Sequence, residues 1–139
     1  MISSRIIEAV DKKLKASAAL VALVPKTSIG YGRGPITATW PNVHFFEVAS
    51  GEGYQVDFNS CTVQISIWAT NPKSALSIKE VIYGILSRFR GKIAIAGGSV
   101  DITWTELVDS GALPETDPQL YGQYLRFLFR YRGENLGGY

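Results

Sequence analysis

The chain has 139 residues, of which 46% are apolar and 19% charged, with a formal net charge of +2. This length buries roughly two-thirds of the extended surface, so one globular domain, 1–139, is expected, with 133–139 as a loose tail. The balance excludes a disordered chain and gives no reason to expect a polyanion or membrane partner; one cysteine excludes an internal disulfide and a cysteine-based zinc site.

Ile6, Ile7, Val10 and Leu14 make the apolar stripe of a first helix from about Ser4 to Lys15, with Ser3 or Ser4 as its cap. A second helical turn runs from Ala18 to Leu23 and stops before Pro25. Leu20, Leu23 and Val24 are expected to close one end of the core. The apolar run from Ala16 to Val24 is shorter than the roughly 20 residues of a membrane span. Without the small-residue cleavage site of a secretory leader, it points to a soluble protein made in the cytoplasm.

Ser28 to Tyr31 reads as a short strand broken by Gly32, Gly34 and Pro35. Pro41 and Asn42 open a strand from Val43 to Ala49 with two possible inner sets, Val43/Phe45 or Phe46/Val48. Ser50 to Tyr54 is a turn or loop signal. Gln55 to Ser60 is either the start of the next strand or a loop.

Residues 61–89 organise the fold. Val63, Ile65, Ile67 and Ala69 alternate with Thr62, Gln64, Ser66 and Trp68, the period of a strand with one face in a core. The period then changes. Ala75, Ile78, Val81, Ile82, Ile85, Leu86 and Phe89 form one stripe of a helix from Pro72 to Arg90. Asn71 suits its N-cap, Pro72 its first position and Gly91 its C′ position, with Arg88, Arg90 and Lys92 at the negative end.

Ala96 to Ser99 is a turn. Val100, Ile102 and Trp104 then alternate with Asp101, Thr103 and Thr105 in a strand ending near Val108. Asp109 to Leu120 reads as a surface loop, and Asp109 to Gln119 is expected to be mobile, like Glu52 to Asn59. Tyr121 to Arg132 is the last strand, with Leu125, Phe127, Phe129 and Tyr131 on one side. These elements define an α+β fold: a mainly antiparallel sheet of about four strands with two helices packed on one face.

Chemistry is hard to find in this chain. His44, the one histidine, lies within a strand and has no cysteine or aspartate at ligand spacing. Gly30 to Gly34 lacks the lysine and the following helix of a phosphate loop. Glu106, Asp109, Glu115 and Asp117 match no calcium loop and read as solvated. No catalytic residue, cofactor or metal is expected. The unspent groups are Tyr124, Arg126, Leu128, Arg130 and Arg132 on one face of the last strand, and Trp68 on the polar face of its own strand. These six are the candidate interface, or lining of a lumen.

In its order of parts the chain resembles the phage tail terminator, or tail-completion, family. The resemblance lies in the N-terminal amphipathic helix and the turn Ala18-Ala-Leu-Val-Ala-Leu-Val, then Tyr31-Gly-Arg and Trp40-Pro-Asn-Val-His-Phe. It continues through Val63-Gln-Ile-Ser-Ile-Trp-Ala and the helix after Asn71-Pro72 to Leu120-Tyr-Gly-Gln-Tyr-Leu-Arg-Phe-Leu-Phe-Arg-Tyr. It implies a structural virion protein and not an enzyme. The implied assembly is a homo-oligomeric ring, usually of six, at the tail–head junction. The ring would cap the tail tube, end tail elongation and join the tail to a head-completion or connector protein. DNA would pass transiently through the lumen, and no membrane would be involved. Two other classes stay open. One is a small ligand- or peptide-binding module, monomeric or dimeric. The other is a hydrolase using His44 with Asp57 or Asp109.

Overall fold

The alternation centred on Val63–Ala69 builds the strand about which the sheet forms. A computed structural model describes residues 2–34, 39–52, 59–114 and 120–133. Within these, helix α1 (Ile2–Lys15) and the short α2 (Ala18–Val21) lead into strands β1 (Ile29–Tyr31), β2 (Asn42–Glu52) and β3 (Asn59–Ala69). Helix α3 (Pro72–Leu86) follows, then β4 (Gly91–Ile95), β5 (Gly98–Leu113) and β6 (Tyr121–Gly133). The six strands form one sheet in the order β1-β2-β3-β6-β5-β4. Every neighbouring pair is antiparallel except β1 and β2.

The expected α+β class and antiparallel sheet hold, but the described residues contain six strands and three α-helices where about four and two were expected. β4 is the strand hidden from the sequence reading. Its five residues follow α3 after a short turn, too few to show a period. β5 continues five residues past Val108, to Leu113, so 109–113 is paired strand rather than loop. Glu52 and Asn59 pair with one another; the rest of that expected loop, 53–58, lies outside the described residues, as do 115–119 and 134–139.

The helix α3 forms where Asn71 accepts a hydrogen bond from Ser74 N at 2.8 Å, with Pro72 in the first turn. Ala75, Ile78, Ile82 and Leu86 are buried, and Val81, Ile85 and Phe89 pack beside them. Each such aliphatic side chain contributes about 1.5–3 kcal/mol on burial. The helix stops at Leu86, four residues before Arg90. The left-handed residue after it is Arg88, with φ of 60°, and not Gly91 at C′; Arg88 N–H donates to Thr105 O at 3.1 Å. Phe89 keeps the apolar period going because it still reaches the core from beyond the helix end.

In α1 the stripe Ile6, Ile7, Val10 and Leu14 is buried as expected, joined by Ala9. The helix starts at Ile2, ahead of both serines proposed as its cap. Leu20 and Val24 close the core, whereas Leu23 is 42% exposed. Val43 and Phe45 are the inner set of β2, fully buried, while Val48 is 45% exposed.

Helix α1 touches both β1 and β4, the outermost strands of the sheet. Laid flat at about 4.8 Å per strand, those edges would stand roughly 24 Å apart, about twice a helix diameter. The sheet therefore curls, and α1 fills the gap between its two ends. Glu8 on α1 accepts a hydrogen bond from Ala96 N at 2.6 Å, which ties the β4–β5 turn to the helix.

Candidate functional site

The face of the sheet turned away from the helices carries the candidate residues. Strand alternation and register bring them together. Trp68 stands opposite Gly122, Gln64 opposite Arg126, Thr62 opposite Leu128 and Ser60 opposite Arg130. Tyr124, Arg126, Leu128, Arg130 and Arg132 share this face of β6. β5 brings Asp109 opposite Arg126 and Glu106 opposite Leu128, after bulges between Ile102 and Trp104 and between Leu107 and Asp109.

The first bulge overturns the expected phase of β5. Straight alternation puts Trp104 in one row with Val100 and Ile102. The extra residue at Thr103 moves Trp104 to the outer face, beneath the Arg90 guanidinium at 4.7 Å, and puts Thr105 into the core. A one-residue slip is invisible to a period-two reading carried straight along the strand.

Much of this face is already engaged within the subunit. Arg126 Nε donates to Gln64 Oε1 at 2.9 Å, its Nη1 lies 3.8 Å from Asp109 Oδ2, and its guanidinium sits over Tyr124 at 5.3 Å. Tyr124 Oη donates to the same Asp109 Oδ2 at 2.9 Å. That hydrogen bond, with the carboxylate's charge, raises the phenol's pKa above its ordinary value. Leu128 is half-buried, while Arg130 and Arg132 are exposed. Trp68 is half-buried too, because its ring lies on Gly122 and Leu113.

At the Trp68 end the outer face deepens into a cleft of about 260 Å³. Trp40, Phe46, Trp68, Leu113 and Leu120 supply its apolar walls; His44, Gln64 and Ser66 are buried in it. Arg33 sits above Phe46, 4.7 Å from the ring centroid. His44 Nδ1 is 2.9 Å from Gly32 O. Desolvation lowers the histidine's pKa, against the opposing effect of that backbone contact. Sequence reasoning found His44 and Trp68 separately but not Arg33, Trp40, Gln64, Ser66, Leu113 and Leu120 with them. The signal was present in part: His44 and Phe46 share one phase of β2, Gln64, Ser66 and Trp68 one phase of β3, and antiparallel pairing joins the two rows.

A second, shallower cleft of about 490 Å³ lies at the far end of α1, where Lys12, Lys13, Arg90 and Lys92 gather. Lys13 Nζ lies 4.2 Å over Phe89. Three acids that could oppose the arginine row are occupied inside the subunit. Glu8 binds Ala96 N, Asp11 pairs with Lys15 at 3.0 Å, and Asp109 holds Tyr124 and Arg126. Asp57, Glu115 and Asp117 lie outside the described residues. Among the described residues no three His, Cys, Asp or Glu side chains gather as a metal site. No described helix is long and apolar enough to cross a membrane.

The fold is thus a helix-filled, curled sheet whose outer face carries packed aromatics and arginines. The chain belongs to the family described as Tail completion protein gp17, whose model matches residues 8–132, and so has a structural role in a phage tail. Among solved structures it is similar to a chain in the virion of a native gene transfer agent (GTA) particle. The identity is 18% and the TM-score 0.76, over 95% of this chain and 98% of that one. A second solved chain, 11% identical with a TM-score of 0.58, matches over 96% of this chain and 98% of its own. No curated protein sequence matches.

Proposed function

We propose that the protein is a ring-forming, single-domain subunit that caps the phage tail tube and joins it to the head, ending tail elongation and letting DNA pass. The observation that carries this reading is the family match over residues 8–132; the similarity to a chain of a virion particle supports a place in the virion. The subunit is made in the host cytoplasm and assembles there. Its partners are further copies of itself, the tail tube protein and a head-completion or connector protein, with DNA in the lumen.

A closed ring uses a head-to-tail contact between unlike patches. The outer face around Trp68, Tyr124, Arg126, Leu128, Arg130 and Arg132 supplies one of them. Its mix of aromatic and arginine side chains is the composition of an interface centre. The lumen reading of the same face is weaker, because Arg126 is already committed to Gln64 and Asp109. Light scattering and electron microscopy of the purified protein test the proposal. Six-fold rings that cap tube ends are expected, and a monomer that leaves tubes open contradicts it.

A further inference from the structure

His44, which lines the cleft, carries an unused hydrogen-bond acceptor, and the cleft's place in the fold sets what can fill it. The Gly32 carbonyl can only accept, so His44 Nδ1, 2.9 Å away, carries the proton. The neutral ring then presents the lone pair of Nε2. That atom is buried and has no partner among the described residues, in a side chain 3% exposed. An unmet buried acceptor of this kind is unfavourable, and a matching donor offsets that cost. The other two buried polar side chains that line the cleft, Gln64 and Ser66, bond to each other. Gln64 Nε2 donates to Ser66 Oγ at 3.1 Å, and Gln64 Oε1 receives Arg126.

The surroundings narrow the class of donor. Trp40, Phe46, Trp68, Leu113 and Leu120 demand an apolar body. Arg33 over Phe46, with Arg126 behind Gln64, disfavours a cation, which removes lysine and arginine. At about 260 Å³ the cleft falls just below the roughly 300–1,000 Å³ of small-molecule sites and suits one large side chain. We propose that the cleft receives a tyrosine from a neighbouring protein, its ring between the aromatic walls and its hydroxyl donating to His44 Nε2. That the neighbour is another tail protein rests on the function proposed above; the recognition chemistry does not. The residue acts as an anchor of the kind that dominates interfaces, an aromatic body with a polar tip in a desolvated pocket.

His44 is the one histidine of the chain, so its imidazole nitrogens give an unambiguous NMR signal. The test titrates the full-length protein with acetyl-Gly-Tyr-Gly-amide and with its phenylalanine counterpart, which lacks only the hydroxyl. The tyrosine peptide is expected to move the Nε2 resonance saturably and to bind about tenfold tighter, the effect of one net hydrogen bond. The phenylalanine peptide should leave Nε2 in place. In His44→Phe the preference should vanish; should that variant fail to fold, the Nε2 shift of the native protein decides alone. Equal binding of the two peptides, or no saturable Nε2 shift, overturns the proposal. So does binding of p-cresol without the tyrosine peptide, which would make the cleft a small-molecule site. None of these outcomes bears on whether rings form, so the two proposals fail separately.

Discussion

The ring of Trp68 occupies the space that a side chain on Gly122 would need. A Cβ at Gly122 would stand 2.7 Å from Trp68 Cζ3, 2.9 Å from Cε3 and 2.8 Å from Leu113 Cβ. The two residues are directly paired across β3 and β6, so the absent side chain makes the seat for the indole. Gly122→Ala should therefore cost about 1–3 kcal/mol through overpacking, read as a lower melting temperature. Trp68→Leu in the same protein should recover part of the loss, since the two sites share one space. An unchanged melting temperature in Gly122→Ala would show that the indole does not depend on that seat.

Ile82 is fully buried at the centre of the α3 stripe. Ile82→Ala should cost about 2–5 kcal/mol in denaturant unfolding. Ile82→Asp puts an unpaired charge into the core and should abolish soluble expression. A folded Ile82→Asp protein with a normal melting temperature would contradict the packing described above.

Cys61 lies on the core side of β3, where burial, helped by the charge of Glu47, pushes its thiol up to about 12. The thiolate is the reactive form, so the native protein should resist a thiol reagent at pH 8 and react fully in denaturant. Rapid labelling of the native protein would mean that β3 opens readily.

The pH dependence of His44 has a defined sign. Its pKa in the folded protein is lowered from 6.5 by desolvation. The unfolded chain therefore binds the proton more readily, and stability falls as pH drops through 6.5 towards the folded value. Above that window the histidine contributes no slope. Unfolding curves between pH 7.5 and 5.5 should show the loss in the native protein and less of it in His44→Gln. An identical slope in both proteins would assign the loss to other groups.

The β3–α3 unit was legible because each element keeps one period over many residues and begins at a residue suited to the change, Asn71. β6 was legible for the same reason. β4 was not, being five residues long, and β5 was misphased because one extra residue at Thr103 resets the alternation. The curl of the sheet depends on α1 meeting both edge strands, a long-range fact that no local pattern carries. The candidate face was legible as a row of residue types. Its internal bonds were not, because the Tyr124–Asp109–Arg126 group joins β5 and β6 through a register that two bulges set.

The role of the outer face separates by substitution. As a subunit contact, Trp68→Ala should stop ring formation or tail joining while circular dichroism shows a folded subunit. As the wall of a lumen, Arg126→Ala and Arg130→Ala should leave rings intact and alter only DNA passage. The contact reading predicts the first result, because a central aromatic at an interface typically contributes about 2 kcal/mol or more.

The assembly proposed for this subunit is a ring closed on the end of a tail tube. Electron microscopy of the purified protein mixed with tail tubes that lack it tests this most directly. Rings seated on tube ends, and tubes that no longer elongate, are expected. Folded protein that stays monomeric and leaves every tube end open would contradict it.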